Sequence, residues 1–372
     1  MRVALVAEDY YPQLGGVPEH VHHLAHELIR RGHTVGVITS RISSRGNRHS
    51  DDPFVRRIGK SLVIYANGGL ARVTFGWQLE ERLRDLLRTG RYDLVHVHGG
   101  LAPTFGIVAP MAAFRVGIPV VATFHSWFPA SACYRVFRRP LQAFLDRHAA
   151  RIAVSAPVVH ALSRYFHGHW EVIPNGVDTR FFRPNGRLPE HALESSPRLL
   201  FLGRLEPRNG LGTVLAAMPA ILGSYPRAEL AVVGDGPWLP YYQWLAGPLG
   251  RAVRFVGAAL RERAELYGSA DLYLCPVTRS SFGVTLLEAM ACGTPIVASD
   301  ITGVRELVDG GSEAVLVPDG DPAAWAEVVI GLLSDPPRRG RMSAAGRAKA
   351  MNFDWRLVAD RIAAVHERVV AR

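Results

Sequence analysis

Arg204 and Arg208 stand four residues apart in GRLEPRNG, and Glu288 stands eight residues after Ser280 in SSFGVTLLEAMACGTPIVAS. Guanidinium groups grip phosphate oxygens through paired N–H donors. A carboxylate accepts protons from sugar hydroxyls. The second stretch opens with small residues and Phe282, bends at Gly283, runs as a helix through Glu288 and Met290, and stops at Cys292-Gly293-Thr294-Pro295. Its first turn holds no acid to offset the positive helix end, so the amides of Gly283, Val284 and Thr285 suit an anion. Gly15-Gly16-Val17 offers a second close approach of backbone to a phosphate. That turn is not GxGxxG, and no acid closes the following strand, which weakens a dehydrogenase reading. Together these residues fit a diphosphate that also carries hydroxyl pairs.

Each has a plainer reading. Gly15-Gly16 serves equally as a tight turn, and a chain with 41 arginines has many solvated ones. Glu288 is less easily dismissed, because Leu286, Leu287, Ala289, Met290 and Ala291 leave it little exposed helix to belong to. His22 and His26 place two imidazoles at i, i+4, a spacing that metals use, but no carboxylate pattern accompanies them and no metal is expected. His96 and His98 on one strand read as core and cleft-edge residues.

The elements that must position these groups alternate between strand and helix. Strands are expected at 2–7, 34–39, 93–98, 118–124, 151–155 and 170–174, then at 198–203, 229–234, 253–257, 271–276, 294–299 and 313–318. Val17, Val21, Leu24 and Leu28 line one face of a helix that Gly32 ends. Apolar strands buried on both faces and separated by helices imply parallel sheets. The fold class is therefore α/β, with two doubly wound Rossmann-like domains facing across a cleft, ligands lying at the carboxyl ends of the strands. The expected boundaries are 1–174 for the first domain, 175–197 for a linker rich in Asn-Gly and Pro, 198–353 for the second domain, and 354–372 for a last helix.

At 372 residues the chain suits two cores, and its 48% hydrophobic and 20% charged content is that of a globular protein. The opening RVALVAEDYYP is too short and too acidic for a signal peptide, and no stretch reaches the roughly 18 apolar residues of a membrane span. Three scattered cysteines suggest a reducing compartment. The formal charge of +10 is unevenly spread. Residues 1–186 carry 23 Arg and Lys against 13 Asp and Glu, while 187–372 carry 20 of each. An anionic partner for the first half follows. Trp127, Phe128, Tyr134, Phe137 and Phe144 interleave with Arg135, Arg138 and Arg139, and Arg72, Phe75 and Trp77 form a second group. Aromatic residues beside arginines suit an anionic membrane surface, with core packing an equal competitor. Nucleic acid is not expected, as no binding motif for it is present.

GRLEPRNG, SFGVTLLEAMACGTPIVASD and IPNGVD resemble the retaining family 4 glycosyltransferases of the two-Rossmann-domain, GT-B type, along the whole chain. Within that family, GGVPEHV, ANGGLARVTFG, LAPTFG and VVATFH look most like the phosphatidylinositol mannosyltransferases. The resemblance implies a hexosyltransferase acting on a nucleotide-sugar, linked to GDP or UDP, with no cofactor and no metal. By the same resemblance, Gly16 meets the diphosphate, Arg204 grips phosphate, Phe282 to Thr285 supply helix-end amides, Glu288 bonds the ribose, and His125 faces the sugar at the reaction centre. Arg208, Asn209 and Ser280 fall at donor positions, and Arg72, His125 and Ser126 on the acceptor side. The last helix is expected to cross back to the first domain, and the enzyme to work in the cytoplasm, peripheral on the inner face of the membrane.

The sequence departs from that family at several points. The family has Lys at the position of Asn209 and Glu at the position of Ser280, the first acid of a paired E-x7-E motif. Polar residues expected near inositol are replaced at Pro18, Leu101 and Ala130, while Arg72 matches. The loop that reads guanine in the similar enzymes is AALRER (258–263) here, which leaves the base open. An alternative reading is a catalytically quiet paralogue that binds a nucleotide or an anionic lipid and acts through a partner. A sugar-nucleotide epimerase would need further acids that the sequence does not locate.

Overall fold

The computed structural model describes residues 1–13, 15–41, 52–66, 69–101, 104–184, 196–308 and 311–372. The expected linker falls partly outside these, at 185–195. The chain forms two units, Met1–Asn175 with Trp355–Arg372, and Gly176–Asp354.

The first unit runs β1 (Arg2–Ala7), α1 (Gly16–Arg30), β2 (Thr34–Arg41), β3 (Val55–Ala66), β4 (Gly69–Phe75), α2 (Leu79–Gly90), β5 (Leu94–His98), α3 (Phe105–Val116), β6 (Val120–Phe124), α4 (Ala132–Val136), α5 (Arg138–Leu145), β7 (Ala150–Ala153), α6 (Ala156–Ser163) and β8 (Glu171–Val172). The strand order is β4-β3-β2-β1-β5-β6-β7-β8. Every pairing is parallel except β3 with β4, which run antiparallel with Leu62 opposite Val73. Alternation along β1 sets the two faces. Val3, Leu5 and Ala7 pack with Val21, Leu24 and Leu28 of α1, whereas Ala4 and Val6 pack with Leu83 of α2 and Ala109 of α3.

The second unit runs β9 (Arg198–Leu202), α7 (Leu211–Ser224), β10 (Glu229–Val233), α8 (Leu239–Ala246), β11 (Val253–Gly257), α9 (Arg263–Ser269), β12 (Leu272–Cys275), α10 (Val284–Ala291), β13 (Ile296–Ser299), α11 (Thr302–Arg305), β14 (Ala314–Val317), α12 (Pro322–Leu333) and α13 (Pro336–Met351). Its all-parallel sheet has the order β11-β10-β9-β12-β13-β14, so the order reverses between β9 and β12. That reversal is the doubly wound Rossmann order, with the ligand crevice at the switch. Leu199 and Phe201 of β9 bury against Leu215 and Met218 of α7 and Trp325 of α12.

α14 (Trp355–Val370) returns to the first unit. Trp355, Val358, Ala359, Ile362 and Val369 join the core face that α1 lines. Arg31, which caps the end of α1, bonds Asp360 at 2.7 Å and the Arg356 carbonyl at 2.7 Å. Just before α14, the Val177 amide donates to the Phe353 carbonyl at 2.8 Å, and Val177 pairs with Asp354 as a parallel bridge.

Candidate functional site

In the second unit the loops after β9 and β12 flank the switch point, and they are joined. The Thr278 amide donates to the Arg208 carbonyl at 2.8 Å, and the Thr278 hydroxyl does so at 3.2 Å. Gly210 has φ 72°, and a Cβ there would lie 1.7 Å from the Pro276 carbonyl oxygen, so only glycine fits. Within the first loop, Glu206 organises both arginines. One carboxylate oxygen lies 2.5 Å from Arg204 Nη2, and the other accepts from Arg208 Nε at 3.0 Å. The Glu206 carboxylate is buried, while the two guanidinium groups stay partly exposed. A guanidinium carries five N–H donors, more than a single carboxylate oxygen takes. The Asn209 side-chain amide donates to the Arg204 carbonyl at 2.6 Å, fixing the turn from inside.

The second loop ends at Gly283, whose φ of 86° places it in the left-handed region and starts α10. Its carbonyl accepts from the Leu286 and Leu287 amides, and α10 has no acid in its first turn. Phe282 is buried against Phe353, with ring centroids 6.0 Å apart. Ser280 is half-buried, and its carbonyl sits where a Cβ on Gly303 of α11 would come within 2.0 Å. Val284 and Thr285 are half-buried at the helix start.

Glu288 has a structural partnership that its sequence context did not foretell. Its two oxygens meet Arg263 Nη1 at 2.7 Å and the Tyr267 hydroxyl at 3.1 Å, and its side chain is 3% exposed. Burial, then the neighbouring carboxylate, pushes the Tyr267 phenol well above its ordinary range. Glu288 thus anchors α10 to α9. A hollow of about 450 Å³ beside the AALRER loop is lined by residues that include Ala258, Glu262, Glu265 and Ser269.

In the first unit, β1 and β5 flank the reversal of strand order. His98 ends β5 and His125 follows β6. His98 Nδ1 and His125 Nε2 are 3.3 Å apart, and His20 of α1 brings its ring within 4.8 Å of His125 and 5.1 Å of His98. His20 Nδ1 donates to Asn175 Oδ1 at 2.8 Å, with His20 neutral. Behind them, His96 Nε2 lies 2.7 Å from Thr123 Oγ1, and His366 Nε2 of α14 lies 3.0 Å from His96 Nδ1. Burial holds His125, His98 and His96 well below the ordinary imidazole range, with neighbouring rings adding to the effect, and lowers His20 to about 4 and His366 to about 3. These rings are neutral at physiological pH and bond by tautomer choice. Gly16 opens α1 directly after Gly15, whose carbonyl accepts from the Glu19 amide at 3.1 Å.

Two family models match. Residues 14–181 match "Glycosyltransferase Family 4", and residues 196–335 match "Glycosyl transferases group 1". The chain is 34% identical over 376 residues to the phosphatidyl-myo-inositol mannosyltransferase of Mycobacterium tuberculosis (strain CDC 1551 / Oshkosh), covering 99% of this chain and 97% of that one. The chain belongs to the family 4 glycosyltransferases. It is 33% identical to the phosphatidyl-myo-inositol mannosyltransferase of Mycolicibacterium smegmatis, over 99% of this chain and 94% of that one. The structure matches sucrose-phosphate synthase from Thermosynechococcus elongatus with a TM-score of 0.78 and 22% identity, covering 100% of this chain and 99% of that chain, which shows the GT-B fold. This glycosyltransferase is a hexosyltransferase.

Of the residues expected on the acceptor side, Arg72 lies 3.6 Å from Asp9, and Ser126 is exposed in irregular chain after His125. The aromatic segment divides between two roles. Phe128 and Tyr134 pack with Tyr165 and Phe166, and Phe144 packs with Phe114 and His148, so these rings serve the fold. Val136 and Phe137 are exposed beside exposed Arg135, Arg138 and Arg139, as are Phe75 and Trp77. No helix among the described residues is long and apolar enough to cross a membrane. Sequence reasoning missed Glu206, although it is the one acid of GRLEPRNG and lies two residues from each arginine. It also missed His20, while the i, i+4 pair His22 and His26 drew attention to another face of α1.

Proposed function

We propose that this glycosyltransferase moves mannose, with retention, from a nucleotide-diphosphate sugar to a hydroxyl of a lipid-borne polyol such as phosphatidylinositol. The named activity of its relatives at 33–34% identity supports that acceptor class. The observation that carries the donor reading is the pair Arg204 and Arg208 bridged by buried Glu206 at the switch point, tied to the loop that leads into the acid-free start of α10. There the guanidinium donors and helix-end amides meet the diphosphate and stabilise the charge that grows on it as the glycosidic bond breaks. The leaving phosphate oxygen takes the proton of the attacking hydroxyl on the same face of the sugar, so no protein nucleophile is needed. His125, neutral through burial, orients the sugar and stabilises its positive charge. Gly16 meets the diphosphate by its backbone, and Glu288, fixed by Arg263 and Tyr267, is the carboxylate that accepts from a ribose hydroxyl in this reading. The reading needs no metal at the diphosphate. Asn209 and Ser280 place neither an ammonium nor a carboxylate on the donor, and Arg208 supplies the missing cation.

We place the enzyme in the cytoplasm, peripheral on an anionic membrane face. The test is a transfer assay with radiolabelled GDP-mannose and a panel of GDP- and UDP-sugars against phosphatidylinositol vesicles, with chelator present. Mannolipid formation from one of these donors is expected. Transfer to soluble sugars only would overturn the acceptor, and no transfer from any donor would overturn the enzyme reading.

A further inference from the structure

We propose that His22, His26 and Asp52 form a site for a borderline divalent transition-metal ion of the Zn²⁺ class on the surface of the first unit. One ligand atom from each of the three lies within 4.8 Å of the others, and His26 Nε2 is 3.6 Å from Asp52 Oδ2. Zinc bonds of roughly 2.0–2.2 Å in tetrahedral geometry put ligand atoms about 3.3 Å apart, so small side-chain rotations close the set. The sequence shows only half of this site. Histidines at i, i+4 stack on one helix face, here with ring centroids 4.4 Å apart, while the carboxylate comes from a segment 26 residues further on, just before β3.

Three further features favour a metal over a chance cluster. Two imidazoles with one carboxylate form a donor set for Zn²⁺, Co²⁺ or Ni²⁺ rather than for Mg²⁺ or Ca²⁺. The Tyr10 hydroxyl lies 3.1 Å from His22 Nδ1, the outer partner that fixes a ligating ring and leaves Nε2 for the metal. The groups are half-buried, so an ion reaches them and a water completes the coordination. A bound ion would clamp α1, the helix that opens with Gly16, to the segment leading into β3. The trio His20, His98 and His125 also brings ligand atoms within 4.8 Å, but His98 and His125 already bond each other, and an ion there would block the proposed reaction centre.

The experiment is calorimetric titration of chelator-stripped full-length protein with ZnCl₂, with CoCl₂ titrated in parallel and read by visible absorption. One equivalent should bind the wild type with micromolar affinity, give a four-coordinate Co²⁺ spectrum and raise the melting temperature. His26→Gln should weaken binding at least tenfold, and Asp52→Asn by a smaller factor, both with chelator-state melting temperatures like the wild type, since both side chains are about 39% exposed. No binding by wild type at 100 µM Zn²⁺, or unchanged binding in both variants, would overturn the site. Binding that inhibits transfer and survives both substitutions would place the ion at the His20 trio instead, which equally overturns it.

Discussion

Arg204 and Arg208 show how one buried acid can prepare two cations. Glu206 fixes one edge of each guanidinium through a separate carboxylate oxygen. Arg204→Ala should weaken binding of a nucleoside diphosphate by roughly 1.5–3 kcal/mol. Calorimetry with both guanosine and uridine diphosphates checks this, and unchanged affinity for both removes Arg204 from the site. The buried imidazoles make a different residue-scale prediction. His20 and His366 titrate near 4 and 3 in the fold against about 6.5 unfolded, so the unfolded chain binds more protons below that value. Their contribution is complete above pH 6.5 and is lost as the pH falls toward 4 and 3. Each ring should cost up to ~1.4 kcal/mol per pH unit across that window. Urea midpoints should hold level from pH 7.5 to about 6.5 and fall from there to 4.5, and His366→Asn should flatten that slope.

At the scale of elements, α10 depends on its contact with α9. Glu288→Ala leaves Arg263 and Tyr267 without their buried partner and should cost roughly 3–5 kcal/mol, read as a lower denaturation midpoint. An α4–α5 surface of exposed Val136 and Phe137 among arginines makes the membrane prediction. Replacing Arg135, Arg138 and Arg139 with Gln should release the protein from anionic vesicles, each charge weakening partition roughly fivefold in co-sedimentation at low salt. The repeating parallel strands were legible because buried strands read as short apolar runs, and every strand of the second unit falls where its run does. The β3–β4 pair was not, because VRRIGKSLVIYA mixes charge and apolar residues as a half-exposed antiparallel strand does. The arginines and the α10 start were legible because strand ends and helix starts are local features. Glu288's partners, the His20–His98–His125 grouping and Asp52 beside α1 were not, because tertiary packing joins positions far apart in sequence.

At the scale of the whole molecule, α14 is a structural part of the first unit. It brings Trp355, Ile362 and Val369 to the core face lined by α1, and His366 to His96. A chain ending at Asp354 should lose the cooperative melting of the first unit while keeping that of the second. Differential scanning calorimetry checks this, and two intact transitions would refute it. Because the second unit starts and finishes side by side at Val177 and Asp354, residues 176–354 should express and melt alone.

The same return of the chain sets an order of assembly during synthesis. Domains usually mature from the amino terminus as they leave the ribosome. Here the unit that begins first cannot be finished first. Its sheet emerges early, yet the face that Trp355 and Ile362 cover stays open until about 180 more residues have been made. Meanwhile Gly176–Asp354 has everything it needs. The nascent protein therefore carries a closed second unit next to an unclosed first one, with the apolar flank of α1 bare. That interval is when a chaperone would engage this chain, and it ends when α14 clears the exit tunnel.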